Sequence, residues 1–196
     1  MKRISYLGMM LVVLTLITVS CKSSKKVVVQ TPPPGRTEIE LPCVAESMDN
    51  DEFFRAMGTA TNINMQNARS AAFDAAKSML NKRLGGFVTG LATDYTRSMA
   101  GDAQMDKVQR AMESEMYSVV ERMLNDAAKT CEKMYQNPSV IYESYIAILV
   151  SKKEMLNQMD KRLSSNQELE IEFNREQFRK FAEKKMKELQ EMQENR

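Results

Sequence analysis

The chain has 196 residues with no histidine and no tryptophan, and its 28 lysines and arginines nearly balance 26 acidic residues for a formal net charge of +2. Without histidine, the usual general base, the usual nucleophile–base dyads and the commonest metal ligand are missing. The balance of charge excludes a strong field drawing the chain to nucleic acid.

Lys2 and Arg3 open the chain, Ile4 to Val19 is almost wholly apolar, and Ser20 and Cys21 follow. This run is shorter than the roughly 20 apolar residues that span a bilayer. A basic start, an apolar stretch and a small residue before the cut make residues 1–20 a secretory signal. In bacterial lipoproteins the first mature residue is a cysteine whose thiol takes a diacylglycerol. The stretch ITVSC resembles that lipobox, with Cys21 as the lipidated residue, although Thr18 and Val19 stand where leucine and a small residue are more usual. The simpler alternative is a plain signal peptide with an incidental cysteine.

The tail after Cys21 favours lipidation. Residues 21–50 are polar at first and then hold Pro32, Pro33, Pro34 and Gly35, the composition of a semi-rigid spacer. About 20 extended residues place a domain roughly 60 Å from its anchor. Lys22, Lys25 and Lys26 flank the lipid site, each contributing about 1 kcal/mol against an anionic surface. Lysines rather than acidic residues after the cysteine point to a periplasm-facing protein. With Cys21 acylated, Cys43 and Cys131 remain, an even number in an oxidising compartment. They form either a disulfide or two buried thiols.

The next expected element is a strand over Phe53 to Thr61, with Gly58 marking a bulge or a close backbone contact. Met65, Ala68, Ala72, Ala75, Met79 and Leu80 then recur at helical steps, capped by Asn62 or Asn64. Gly85–Gly86 is expected to end or kink this helix. TRSMAGDAQ reads as a loop. Met105, Val108, Met112, Met116, Val119 and Met123 predict a second helix. AAKTCEKMYQ and VIYESYIAILV, joined by a proline turn, predict two strands, with Val140 to Val150 central. Ser151 to Glu154 has capping-box spacing and opens a helix carrying Met155, Leu156, Met159 and Leu163. Ser165 to Glu168 repeats that spacing, and LEIEF (169–173) is taken as helix. From Asn174 a charged amphipathic helix carries Phe178, Phe181, Ala182, Leu189 and Met192 on its apolar side.

This order predicts an α+β fold: a small antiparallel sheet of about three strands packed with two or more helices, plus a long charged C-terminal helix. The expected organisation is signal 1–20, lipidated tether 21–50, α+β domain 51–163 and C-terminal helix 164–196.

No catalytic residue, metal site or cofactor is assigned. The cysteines lack zinc or C-x-x-C spacing, and RLGGFVTG lacks the lysine of a phosphate loop. Glu168, Glu170, Glu172 and Glu176 read as a solvated face beside Arg175, Arg179, Lys180 and Lys184. The stripe of Met105, Met112, Met116 and Met123 reads as core; facing outward, it would be an adaptable binding surface. Tyr135, Tyr142 and Tyr145 are candidates to line a pocket between sheet and helix.

The stretch FFRAMGTATNINMQNARSAAFDAAKSML resembles the lipoprotein-20 family of bacterial cell-envelope proteins. Gly58 and Ala60 match its Gly-x-Ala strand end, Ala68, Arg69 and Ala72 its Ala-Arg-x-x-Ala helix, and YESYIAILVSK its late tyrosine-bearing strand. The resemblance covers roughly residues 50 to 155. It implies an α+β fold, a lipid anchor in the outer membrane and no enzymatic activity. The leading expectation is a structural or adaptor module. It would be held to the membrane through Cys21 and would bind an envelope protein or a second copy through Phe178, Phe181, Leu189 and Met192. The alternative is a small-ligand or lipid-binding protein with a cavity between sheet and helices.

Overall fold

The computed structural model of the chain describes residues 40–99, 105–167, 169 and 173–194. Three strands and four helices follow in the order β1 (Phe53–Asn62), α1 (Met65–Ser98), α2 (Met105–Asn125), β2 (Ala128–Gln136), β3 (Tyr142–Ser151), α3 (Lys152–Ser164) and α4 (Arg175–Glu194). The sheet is antiparallel in the order β1-β3-β2, so the β-branched stretch lies at its centre, as its composition predicts. The fold is α+β.

Alternation along the strands separates two faces. Ser144, Ile146, Ile148 and Val150 of β3 share the inner face with Phe54, Ala56 and Gly58 of β1, and all are buried. α1 lies on that face. Its buried residues Ala68, Ala72, Ala76, Leu80 and Leu84 repeat every four positions, a row that small side chains keep close to the sheet. Gly58 sets the distance: a Cβ there would lie 2.1 Å from the Ala72 carbonyl oxygen and 2.3 Å from the Ala76 nitrogen. Asn64 caps α1, its Oδ1 accepting from the N–H groups of Gln66 and Asn67 at 2.9 and 3.1 Å.

Gly85–Gly86 does not end α1, which continues to Ser98. Beyond the glycines Phe87, Val88, Leu91, Ala92 and Tyr95 are all buried, and Tyr117 of α2 donates to the Gly85 carbonyl at 3.1 Å. Burial on both sides outweighs the roughly 1 kcal/mol per glycine that helix propensity subtracts. Glycine therefore punctuates nothing here. Met112 and Met116 of α2 are buried in the core, and Met123 is packed against it.

Ser151 caps α3 through the Glu154 N–H at 3.3 Å, and Met155, Leu156, Met159 and Leu163 turn into the core. Ser165 does not start another helix. It closes α3, its N–H reaching the Lys161 and Arg162 carbonyls at 3.2 and 3.3 Å. Within the expected helix 169–173, residues 170–172 lie outside the described residues, as do Glu168, Glu170 and Glu172 of the acidic cluster. Signal, Cys21 and residues 22–39 also lie outside them.

α4 is not an appendage. Residues Glu40–Arg196 form one compact unit, which joins 164–194 to the domain expected to stop at 163. Phe178 and Ala182 are fully buried, and Met186 nearly so. Phe173, Phe178 and Phe181 surround Tyr95 of α1 with ring centroids at 5.9, 6.0 and 6.3 Å.

Candidate functional site

Three places carry the features that matter for function. The first is the outer face of the sheet. Here Cys131 of β2 is bonded to Cys43, 88 residues earlier in the chain, with Cα atoms 5.6 Å apart. The segment that follows Cys43 crosses toward β1 as a short 3-10 turn, Ala45–Ser47. Asp49 then accepts the Arg55 N–H at 2.6 Å and Arg83 Nη2 at 2.7 Å, fixing the segment's far end. Beneath it Ala147 is fully buried. The segment's own apolar side chains do little of this covering: Val44 and Met48 are exposed, as is Leu41 just before Cys43. A covalent bond and a carboxylate hold what apolar burial does not.

The second place is the side of α4 expected to meet a partner. Phe178 is buried against its own domain, Phe181 and Leu189 are half-buried on the same core, and Met192 remains 55% exposed. Of the four residues expected to meet a partner, Phe178 is thus taken up by the domain itself while Met192 stays open, because a helix's apolar stripe shows that it must be covered, not by what. Charges reinforce the internal docking. Arg175 Nε lies 2.8 Å from Asp160 Oδ1, Arg179 Nη2 lies 2.6 Å from Asp160 Oδ2, and Lys185 Nζ lies 2.6 Å from Asp94. Asp160 has a side chain only 4% exposed, so the two arginines expected on a solvated face neutralise a buried carboxylate instead, with Arg179 also donating hydrogen bonds to its Oδ2. Glu176 and Lys180 do pair in solvent, at 2.8 Å.

The third place is a groove of about 580 Å³ between α3 and α4. Leu156 and Met186 form apolar wall, and Asp51, Lys153, Arg179 and Gln190 form the polar rim. Lys152 also lines it, although 94% of that residue is removed from solvent (6% exposed). Its Nζ donates to Gln190 Oε1 at 3.1 Å and sits 5.0 Å from the Phe54 ring centroid. Burial pushes this ammonium below the usual lysine range, against the opposing pull of Asp49 and Asp51. Sequence reasoning missed Lys152 because it opens a helix, where lysine is ordinarily solvated.

The cavity expected between sheet and α1 is not where the open space lies, since Gly58 brings those two backbones together. The three tyrosines do not converge either. Tyr135 and Tyr145 stack edge-on at 6.0 Å, and both belong to the outer-face register, whereas Tyr142 ends the inner one. RLGGFVTG is helical and offers no loop to a phosphate. Among the described residues, no group of three or more cysteines and carboxylates is placed to hold a metal ion, and no helix is long and apolar enough to cross a membrane.

Comparison with models of known protein families, with curated proteins and with solved structures finds no match. The resemblance to the lipoprotein-20 family rests on Gly58, Ala60, Ala68, Arg69, Ala72 and the late strand alone.

Proposed function

We propose that the chain is a non-enzymatic lipoprotein of the bacterial outer membrane, anchored through lipid on Cys21, facing the periplasm, and serving as a structural or adaptor module. The observation that carries this reading is the bond between Cys43 and Cys131. Disulfides persist in oxidising compartments, which is where a chain with this signal and lipobox is sent. The bond also begins the folded unit almost where the proline-rich tether stops. That bond ties Cys43 to β2 ahead of the weakly packed segment that follows. Of the α4 residues expected at the adaptor surface, Phe178 is covered by the domain itself and Met192 stays exposed.

The anchor is tested by growing cells with labelled palmitate. Label in the wild-type chain and none after Cys21→Ala, with release of the variant from membranes, is the expected outcome. Equal retention of both chains in the membrane fraction would contradict it.

A second reading has one specific observation behind it, the buried Lys152 amine at the wall of the α3–α4 groove. An amphiphile with an anionic head near Lys152 and Lys153 and an aliphatic part on Leu156 and Met186 suits that lining. Native mass spectrometry of protein purified from its host should then show a retained ligand that Lys152→Met loses. Clean unliganded protein would exclude this reading.

A further inference from the structure

One end of the sheet exposes apolar side chains that the fold does not need. Asn62 of β1 and Gln136 of β2 both pair with Tyr142 of β3, so the β1–α1 turn and the β2–β3 loop emerge side by side. These two turns carry the most exposed large apolar residues described, Ile63 at 80% and Val140 at 60%. Met65 and Tyr135 flank them, also exposed. Neither stretch bears a charge: 61–68 reads TNINMQNA and 134–142 reads MYQNPSVIY, in a chain that is 28% charged.

Val140 is the more telling of the two. Its φ is 61°, the left-handed region that a β-branched residue avoids. The loop enforces this. Asn137 Oδ1 accepts from the N–H groups of Ser139 and Ile141, each at 3.0 Å, and the Val140 N–H donates to the Asn137 carbonyl at 3.0 Å. Glycine or asparagine would fit this backbone with less strain. With its side chain mostly in solvent, valine gains nothing inside the molecule, so its value lies outside it.

We infer that this sheet end, led by Ile63 and Val140, docks into the interfacial layer of the lipid bilayer. The inference rests on the lipid-anchor reading given above. Three features favour a bilayer as occupant. The turns are uncharged and apolar. Tyr135 and Tyr142 stand just behind the tips, where aromatic residues with a polar edge sit at a headgroup layer. A stretch as long as residues 21–39 has a contour length of roughly 60 Å, ample for the domain to reach the leaflet holding its own anchor. Glu143, the strand carboxylate one register step back, pairs across to Tyr135 and Thr61 rather than standing at the tip.

The test uses the full lipidated protein in vesicles of phosphatidylethanolamine and phosphatidylglycerol. A nitroxide is attached through Ile63→Cys, Val140→Cys or, as control, Met192→Cys. The native cysteines do not compete, since one is the lipid site and two are bonded. Flotation with the vesicles first establishes the anchor, and its loss would sink the anchor reading independently. In the floating protein, labels at 63 and 140 should be several-fold more accessible to oxygen than to a water-soluble nickel complex, relative to the label at 192. Floating protein with all three labels equally open to nickel would overturn the inference. So would labels at 63 and 140 that are shielded from both reagents and broadened by one another between copies, because that assigns the tip to self-association.

Discussion

The two faces of the sheet are covered by opposite means. On the inner face, α1 approaches until backbone meets backbone at Gly58, and a row of alanines and leucines is wholly withdrawn from water. On the outer face, a short segment with exposed Leu41, Val44 and Met48 is held by the Cys43–Cys131 bond and by Asp49. Contact stabilises in proportion to apolar area removed from water, and a segment with so little to bury needs a crosslink instead. The inner face should therefore respond to changes of volume and the outer face to changes of redox state.

The largest effect is expected from crowding the inner face. Gly58→Ala puts a methyl group into the backbone of α1 and should cost at least the upper end of the about 1–3 kcal/mol typical of overpacking. Equilibrium urea unfolding measures it; a loss below that range would mean that α1 is not seated as described. Reducing the disulfide comes next. It closes a loop of 88 residues in sequence, for which typical stabilisation is about 2–4 kcal/mol. Thermal unfolding with and without reductant should differ accordingly, while Cys43→Ser with Cys131→Ser should show no response to reductant. Selective proteolysis near Leu41–Met48 in the double variant would sharpen the contrast, as the outer segment should loosen before α1 does.

Smaller effects test how the inner layer is finished. Asn64→Ala removes the cap of α1 and should cost about 1 kcal/mol. At the rim, Arg69 of α1 clamps Glu132 of β2 through Nε and Nη2. The Arg69 hydrogen bond holds this carboxyl below its ordinary value of 4.5. The folded state therefore binds its proton more weakly than the unfolded chain. The resulting stability is present above pH 4.5 and is lost as pH falls through the folded value. Arg69 is 44% exposed, so the contribution is below about 1 kcal/mol. Glu132→Gln should flatten the acid limb of the stability profile by that amount and leave the disulfide effect unchanged.

Local chemistry made the layers legible. Richness in β-branched and aromatic residues marked β3, and apolar residues at three- and four-residue steps marked the helix facing it, although Met79 of that expected stripe is exposed and Ala76, not Ala75, is fully buried. Ser151 announced its cap, and Asn64 was one of two candidates for the other. The misreadings have physical causes. Gly85–Gly86 looks like an end only until the burial of Phe87, Val88 and Leu91 beyond it is known. Ser165 has the residue type of a helix start, but its N–H closes the helix before it. Phe178, expected at a partner, is covered by its own domain, because a stripe shows its own hydrophobicity and not the identity of its cover. Lys152, Asp160 and the Asp49 contacts gave no local signal, since each depends on elements far away in the chain. Cys43 and Cys131 could be paired on paper only as one of two options, and their proximity follows from β2 lying at the sheet edge beside the segment's start.

The most direct test of the whole account is the intact mass of the native protein extracted from host membranes without reductant. The predicted mass begins at Cys21, includes a diacylglycerol with its acyl chains, and lacks the two hydrogens given up by Cys43 and Cys131. A chain that begins elsewhere without lipid, or that takes up thiol reagent at residues 43 and 131, would contradict an anchored, disulfide-fastened envelope module.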